Sequence, residues 1–376
     1  MTFSESFQSG AIRSALARAE SADSDAIRAS LATSPVTLDS MAALLSPAGL
    51  EAFADVAARA RQITIERFGR TMQLFAPLYL SNECVCTCTY CGFSQGLDIR
   101  RKTLRLTEVA TESELLARRG IRNVLLVSAE HPKRVSADYV AACIREVKAR
   151  IPYVALEIAA AEEPDYRAYA DAGCDGVVLY QETYDETVYA AHHLGGPKKR
   201  YAWRMDALER AGKAGMRNLG IGALLGLADW RFDALALFAH ARFLERHCWR
   251  SQINLSFPRI NPAEGGYVPN HPVDDAALAQ LVCVFRLAFP TAGIFLSTRE
   301  PAKLRDRLAT LGVTHMSAGS STEPGGYEHP GDAGGQFDLE DLRAPEEVAR
   351  ALRAAGYDPV FKDWETMTEP AAVSRA

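Results

Sequence analysis

Eight short apolar runs recur along the chain after Phe75, and they constrain the fold more than any other feature. They are "LYL" at 78–80, "NVLLVS" at 123–128, "YVALEIA" at 153–159 and "GVVLYQ" at 176–181. The series continues with "NLGIGALLG" at 218–226, "QINLSF" at 252–257, "GIFLST" at 293–298 and "THMSAG" at 314–319. Runs this short, rich in β-branched and aliphatic residues, suit strands buried on both faces. Most gaps hold an amphipathic stretch, such as "LTEVATESELLARRG" or "ADYVAACIREVKAR", whose apolar residues recur at helical spacing. Strands alternating with helices are joined by crossovers into a parallel sheet, and eight such units close a (β/α)8 barrel of the TIM type. A Rossmann-type open sheet is the alternative use of the same units.

Around the barrel, residues 1–75 read as an N-terminal helical segment. "SGAIRSALARAESADSDAIRASLA" and "LEAFADVAARARQITIERFG" carry helical periodicity, and Thr37 or Asp39 is an expected N-cap between them. The barrel then occupies 76–320, and 321–376 forms a C-terminal extension of Gly/Pro-rich loop followed by one helix near 345–356. Apolar residues make up 48% and charged residues 24% of the chain, enough for a buried core in a globular protein. A net charge of −5, with no basic run, argues against nucleic acid as a partner. The opening "MTFSESFQSG" lacks the basic and apolar regions of a secretory signal, and no apolar run is long enough to span a bilayer. A cytoplasmic protein is expected.

Within that compartment, thiols stay reduced and cysteine clusters serve metals more often than disulfides. "LYLSNECVCTCTYCGFSQ", beginning in the first predicted strand, packs Cys84, Cys86, Cys88 and Cys91 into one loop. The spacing Cys84-x3-Cys88-x2-Cys91 suits a [4Fe–4S] cluster that leaves one iron without a protein ligand. Four-cysteine ligation including Cys86, as in a structural zinc or electron-transfer site, is the competing reading. The remaining cysteines, Cys143, Cys174, Cys248 and Cys283, are isolated and read as buried small hydrophobes.

Cys84, Cys88, Tyr90 and Cys91 match the CxxxCxΦC signature of the radical S-adenosylmethionine (SAM) enzymes, and the chain resembles that superfamily. The resemblance implies that Cys84, Cys88 and Cys91 hold the cluster, that SAM chelates the open iron, and that Tyr90 lies beside the adenine. It leaves Cys86 a bystander. "SAEH" at 128–131 resembles the superfamily's GGE-type motif, and it implies that Glu130 receives the SAM ammonium, although Ala129 departs from the pattern. Glu182 in "YQETYDETVYAAHH" matches a segment whose carboxylate accepts from ribose hydroxyls. Arg204 in "AWRMDALERAG" is implied to fork onto the SAM carboxylate, which Arg does and Lys does not. His192 and His193 match a paired-histidine motif, and a solvated helix face is expected for them. "GIGALLGL" lacks GxGxxG spacing and reads as the fifth strand, its glycines admitting the adenine.

Over roughly residues 76–364 the chain is most similar to the tyrosine lyases of thiamin thiazole biosynthesis, the 2-iminoacetate synthase family. The segments "LYQETYDETVYAAHHLGGPKK", "SFPRINP", "LSTREP", "EPGGY" and "VFKDW" carry this likeness in order. The hydrogenase-maturation sister family carries a second cluster on a cysteine-rich extension; here no cysteine follows Cys283. The carboxylate of an amino-acid substrate needs a cation. Arg299, at the end of the seventh predicted strand, is the candidate, with Ser317 assisting, and Arg259 after the sixth positions substrate or lines the cavity. A helix-start ion pair with a neighbouring loop is the alternative for either arginine. By the resemblance, a flavodoxin or ferredoxin type reductant supplies an electron, SAM yields methionine and a 5′-deoxyadenosyl radical, and the radical takes a hydrogen from the amino group of L-tyrosine. The products are 2-iminoacetate and p-cresol, with thiazole synthase an implied partner. The apolar segment at Ala159–Ala161 departs from the family and leaves a lyase acting on tryptophan as the alternative, beside a non-catalytic iron–sulfur or zinc scaffold.

Overall fold

The computed structural model describes residues 1–361. Its centre is a closed barrel of eight parallel strands: β1 (Thr71–Ser81), β2 (Asn123–Ser128), β3 (Tyr153–Glu157), β4 (Gly176–Glu182), β5 (Asn218–Ala223), β6 (Gln252–Ser256), β7 (Gly293–Leu296) and β8 (His315–Ser317). Neighbours in sequence pair in space, and closure comes from β8 on β1, with Gln73, Leu74 and Phe75 opposite His315, Met316 and Ser317. The closed ring replaces the open-sheet alternative. Closure leaves no free edge within the ring, so every strand is paired on both sides.

The first strand is longer than its apolar run suggested. Thr71 and Gln73 interrupt the apolar pattern, yet Thr71–Gln73 pair with a short strand, Asp358–Val360, contributed from the far end of the described chain. Helices at Leu106–Arg118, Ala137–Lys148, Glu163–Asp171, Trp230–His247, Asp275–Ala288 and Ala302–Leu308 cover the outside. Their buried faces (Val140, Cys143, Ile144 and Val147 in one case) meet the outer faces of the strands. The isolated cysteines Cys143, Cys174, Cys248 and Cys283 are all buried there.

Six helices between Phe3 and Phe68 precede the barrel. Thr37 caps the fourth, Leu38–Leu44, its hydroxyl accepting from Ser40 N at 3.1 Å. Gln280 on a barrel helix donates to the carbonyls of Leu44 (2.8 Å) and Ser46 (3.1 Å), tying this layer to the barrel through buried bonds. Beyond β8, a long loop crosses the barrel mouth before the helix Pro345–Ala354. Two buried anchors hold it. Glu112 accepts from the backbone of Tyr327 (3.2 Å) and Glu328 (2.8 Å). Arg305 meets Asp341, which Arg343 also grips at 2.7 Å. The end of the "VFKDW" segment lies outside the described residues, as do residues 362–376 of the expected extension. Among the described residues, no helix is long and apolar enough to cross a membrane.

Candidate active site

In a (β/α)8 barrel, chemistry gathers where the strands end, and the cysteine loop leaves β1 at that face. It is stapled there by a two-stranded antiparallel pair, Thr87–Cys88 with His193–Gly195. Gly92 N donates to Gln336 O (3.1 Å), and a Cβ at Gly92 would sit 2.6 Å from that oxygen, so the close approach requires glycine. All eight cysteines are free thiols. Cys86 N donates to Cys84 Sγ and Phe93 N to Cys91 Sγ, both at 3.4 Å. Hydrogen bonding by Cys86 holds the Cys84 thiol down at about 6, whereas burial pushes Cys88 up to about 12 and raises Cys91. Soft sulfur donors receiving N–H···S bonds are the environment an iron–sulfur cluster needs. Cys86 is buried and its thiol donates to Glu130 Oε2 at 3.4 Å. Among the described residues, no three His, Cys, Asp or Glu side chains lie together as ligands of one metal ion.

Next to the loop stands a buried charge network. Arg204 donates to Glu130 (3.3 Å), to Glu182 (3.1 Å) and to the Tyr180 carbonyl (2.9 Å). Lys198 donates to the same Glu182 oxygen at 2.7 Å. Desolvation would raise the Glu182 pKa, but Lys198 and Arg204 overcome it and hold the carboxyl down at about 2. Arg204 is only 7% exposed, so these ion pairs are buried. Glu182 reaches its partners from a bulge where β4 slips against β5 between Tyr180 and Glu182. Its φ of 73° makes it the one non-glycine residue with positive φ among the described residues. Such a backbone costs roughly 1–3 kcal/mol and persists only where surroundings hold it. Ser128 Oγ and Gln181 Oε1, at the ends of β2 and β4, are buried without a partner.

The paired histidines overturn their expected solvation. His193 is 1% exposed; its Nδ1 faces the Tyr189 carbonyl at 2.7 Å, so Nδ1 carries the proton and Nε2 accepts from Tyr90 OH at 2.8 Å. Burial pushes its pKa down to about 3, which keeps it neutral. His192 Nδ1 meets Thr89 Oγ1 at 2.6 Å. Both rings therefore pin the Thr89–Tyr90 stretch to the "HHLGG" segment. The glycines of β5 do not leave open space either. A Cβ at Gly222 would lie 2.6 Å from the Tyr180 ring and one at Gly220 2.7 Å from Val178, so they admit neighbouring side chains of β4.

Two adjoining compartments occupy the barrel. The inner one is lined by Phe75, Tyr79, Leu125, Val127, Asn254 and Ser317, among others. The outer one, at the mouth, is lined by Tyr90, Cys91, Glu182, Lys198, Leu224 and Asn261, among others. Both are lined by Glu157, Tyr180, Pro258, Arg299, Gln336 and Phe337. Arg299 lies over the Phe337 ring, 3.3 Å from its centroid, and burial lowers its pKa. Ser317 Oγ accepts from Thr298 N at 2.9 Å, which fixes the turn bearing Arg299. Ser320, which lines the inner compartment, has a buried hydroxyl without a hydrogen-bond partner among the described residues. Arg259 departs from expectation: Pro258, Ile260 and Asn261 line the outer compartment but Arg259 does not. Its guanidinium is held by Glu300, by Asp275 (2.9 Å) and by the Val273 carbonyl (2.9 Å), a structural ion pair beside the site.

Sequence reasoning missed Glu157, Lys198, Gln336 and Phe337. A lone carboxylate inside the apolar run "YVALEIA" was a readable signal for Glu157, as a cation in "GGPKK" was for Lys198. Gln336, whose Oε1 accepts from Tyr79 OH at 2.7 Å, sits in a glycine-rich loop that carries no such mark.

Comparison with known proteins gives this geometry a family. The Radical SAM superfamily matches residues 78–239, and the Biotin and Thiamin Synthesis associated domain matches 256–358. The 2-iminoacetate synthase of Escherichia coli (strain K12) is 41% identical over 341 residues, 90% of each chain. Among solved structures, HydG, a maturase of the [FeFe]-hydrogenase, superposes with a TM-score of 0.89 at 33% identity, covering 93% of this chain and 79% of that one. Methylornithine synthase (PylB) shares the fold, with a TM-score of 0.71 at 20% identity over 89% of this chain and 97% of that one. The chain is a radical SAM enzyme, of a superfamily that works with SAM and an iron–sulfur cluster. Within it, the chain belongs to the 2-iminoacetate synthase family.

Proposed function

We propose that this enzyme cleaves the Cα–Cβ bond of L-tyrosine, giving 2-iminoacetate and p-cresol while SAM becomes 5′-deoxyadenosine and methionine, for thiamin thiazole biosynthesis. The observation that carries the reading is the shared wall of the two compartments, where the cysteine-loop side and Arg299 face one enclosed space. In this reading Cys84, Cys88 and Cys91 hold a [4Fe–4S] cluster and Cys86 holds Glu130 instead. When bound, cluster and SAM supply the 5′-deoxyadenosyl radical that takes a hydrogen atom from the substrate amino group.

The chain's own residues bind, orient and exclude water. Arg204 forks onto the SAM carboxylate, Glu130 takes its ammonium, Glu182 its ribose, and Tyr90, pinned by His193, stands beside the adenine. Arg299 takes the tyrosine carboxylate; Ser317 positions it through Thr298, and Ser320 offers a free hydroxyl. Apolar Leu125, Val127 and Phe75 keep the inner compartment dry, where the aromatic ring is held and reactive intermediates are shielded. The helices between Phe3 and Phe68 frame the barrel, which begins at Thr71 rather than at 76, and the described part of the extension from 321 covers its mouth. A flavodoxin or ferredoxin type reductant delivers the electron from the cytoplasm, and thiazole synthase receives the imine.

Reduced, reconstituted protein incubated with SAM and tyrosine should release p-cresol and 5′-deoxyadenosine. An indole product from tryptophan, with no p-cresol from tyrosine, would reassign the substrate. Cys86→Ala should retain the cluster's visible absorption and Cys88→Ala should lose it; the reverse outcome would defeat the ligand assignment.

A further inference from the structure

Glu157 stands out among the carboxylates of the site. Glu130 and Glu182 each meet a cation within hydrogen-bond distance. Glu157, the last residue of β3, accepts no side-chain hydrogen bond among the described residues. It lines both compartments, and Arg299 is the other charged residue on their shared wall. An acidic and a basic side chain there match the two charged ends of an α-amino acid: a guanidinium for the carboxylate, a carboxylate for the ammonium.

The chemistry asks more of the acidic partner than attraction. At neutral pH an amino acid arrives with its nitrogen protonated. Taking a hydrogen atom from an ammonium would leave a nitrogen-centred radical cation with no lone pair to spare, so the hydrogen must come from the neutral amine. We propose that Glu157 accepts the proton that converts the bound amino acid's ammonium group to the amine, while Arg299 holds the carboxylate alongside. One N–H bond breaks heterolytically, its electron pair stays on nitrogen, and one O–H bond forms on Glu157. No oxidant or reductant is consumed in this step.

The surroundings suit a proton acceptor at neutral pH. Tyr79 faces Glu157 from β1, Tyr180 and Glu182 from β4, Lys198 and Arg204 from the crossover that follows β4, and Arg299 from the loop after β7. Desolvation pushes its pKa up to about 7, against Arg299, with Glu182 adding to the rise and Lys198 and Arg204 opposing it. A general base works best when its pKa lies near the working pH. Protonating Glu157 also frees the Arg299 charge for the substrate carboxylate.

The inference rests on the amino-acid lyase reading, and one experiment separates the two. Holoenzyme and its Glu157→Gln variant are assayed with SAM and tyrosine across the neutral range, following p-cresol and 5′-deoxyadenosine. Wild type should show an acid limb near 7, active above it. In Glu157→Gln that limb should vanish, kcat at neutral pH should fall about 100-fold, and the residual rate should climb with pH as the amine ionises by itself. The SAM-induced change in the reduced cluster's electron paramagnetic resonance should persist, showing an assembled site. Glu157→Asp should restore part of the rate with a displaced limb, and it decides the matter if the Gln variant fails to assemble. An unmoved acid limb and an unreduced kcat in either variant would overturn the proposal. A wild type that makes no p-cresol would instead overturn the parent reading.

Discussion

Two networks of buried charge sit at the same end of this barrel and are built to opposite purposes. Arg305, Asp341, Arg343 and Asp306 fasten the long loop after β8. Asp341 is shared by two arginines, Arg305 also donates to the Ser317 carbonyl, and Asp306 takes the outer side of Arg343 at 2.9 Å. Arg204, Lys198, Glu182 and Glu130 use the same residue types beside the cysteine loop, yet unpartnered Ser128 and Gln181 atoms lie at the neighbouring strand ends, and Glu182 holds a strained backbone. The first network fastens a loop and leaves only Arg305 Nε without a partner among the described residues; the second borders a compartment, which Glu182 and Lys198 line. Burial of paired charge is not by itself a sign of function, and its neighbours decide.

Breaking each network should separate these roles. Arg204→Met removes the fork for the SAM carboxylate and leaves Glu130 without its cation, so 5′-deoxyadenosine formation should fall by about 1,000-fold, with SAM affinity falling too; a variant that binds SAM as wild type does would end the comparison. Arg305→Met leaves Asp341 with Arg343 as its only cation and takes the donor from the buried Ser317 carbonyl. It should cost about 1–3 kcal/mol of unfolding free energy in denaturant titration, with turnover per folded molecule preserved at low temperature.

The smallest effect is a slope. Glu157 has its pKa raised from an ordinary 4.5 to about 7, so the folded state binds a proton that the unfolded chain has released between those values. Its contribution to stability therefore declines as pH rises through that window. Glu157→Gln should remove this decline, raising the melting temperature relative to wild type at pH 8 but not at pH 4. Glu182, held down at about 2, behaves oppositely: its contribution is present above the ordinary 4.5 and is lost as pH falls toward 2.

What could be read in the sequence followed from local pattern. Strands such as β2 and β5 announced themselves because continuous apolar runs need two buried faces. The cysteine spacing and the polar residues ending strands were equally local signals. What stayed hidden depends on partners far along the chain. Arg259 looked like a cavity cation because nothing near it in sequence reveals that Glu300, 41 residues on, turns it aside. His192 and His193 looked solvated because their companions, Thr89 and Tyr90, lie 103 residues earlier. β1 was shortened by its polar residues, whose pairing strand comes from Asp358–Val360.

Gly92 carries a mechanical consequence. Its amide bonds the backbone of Gln336, whose side chain grips Tyr79 on the barrel wall and approaches Cys91 Sγ at 3.9 Å across 245 residues of sequence. Thiol loop, wall and covering segment are thereby spliced into one rigid piece. Whatever seats an occupant beneath that cover is felt at the sulfur, and a single added methyl at position 92 would pry the two apart.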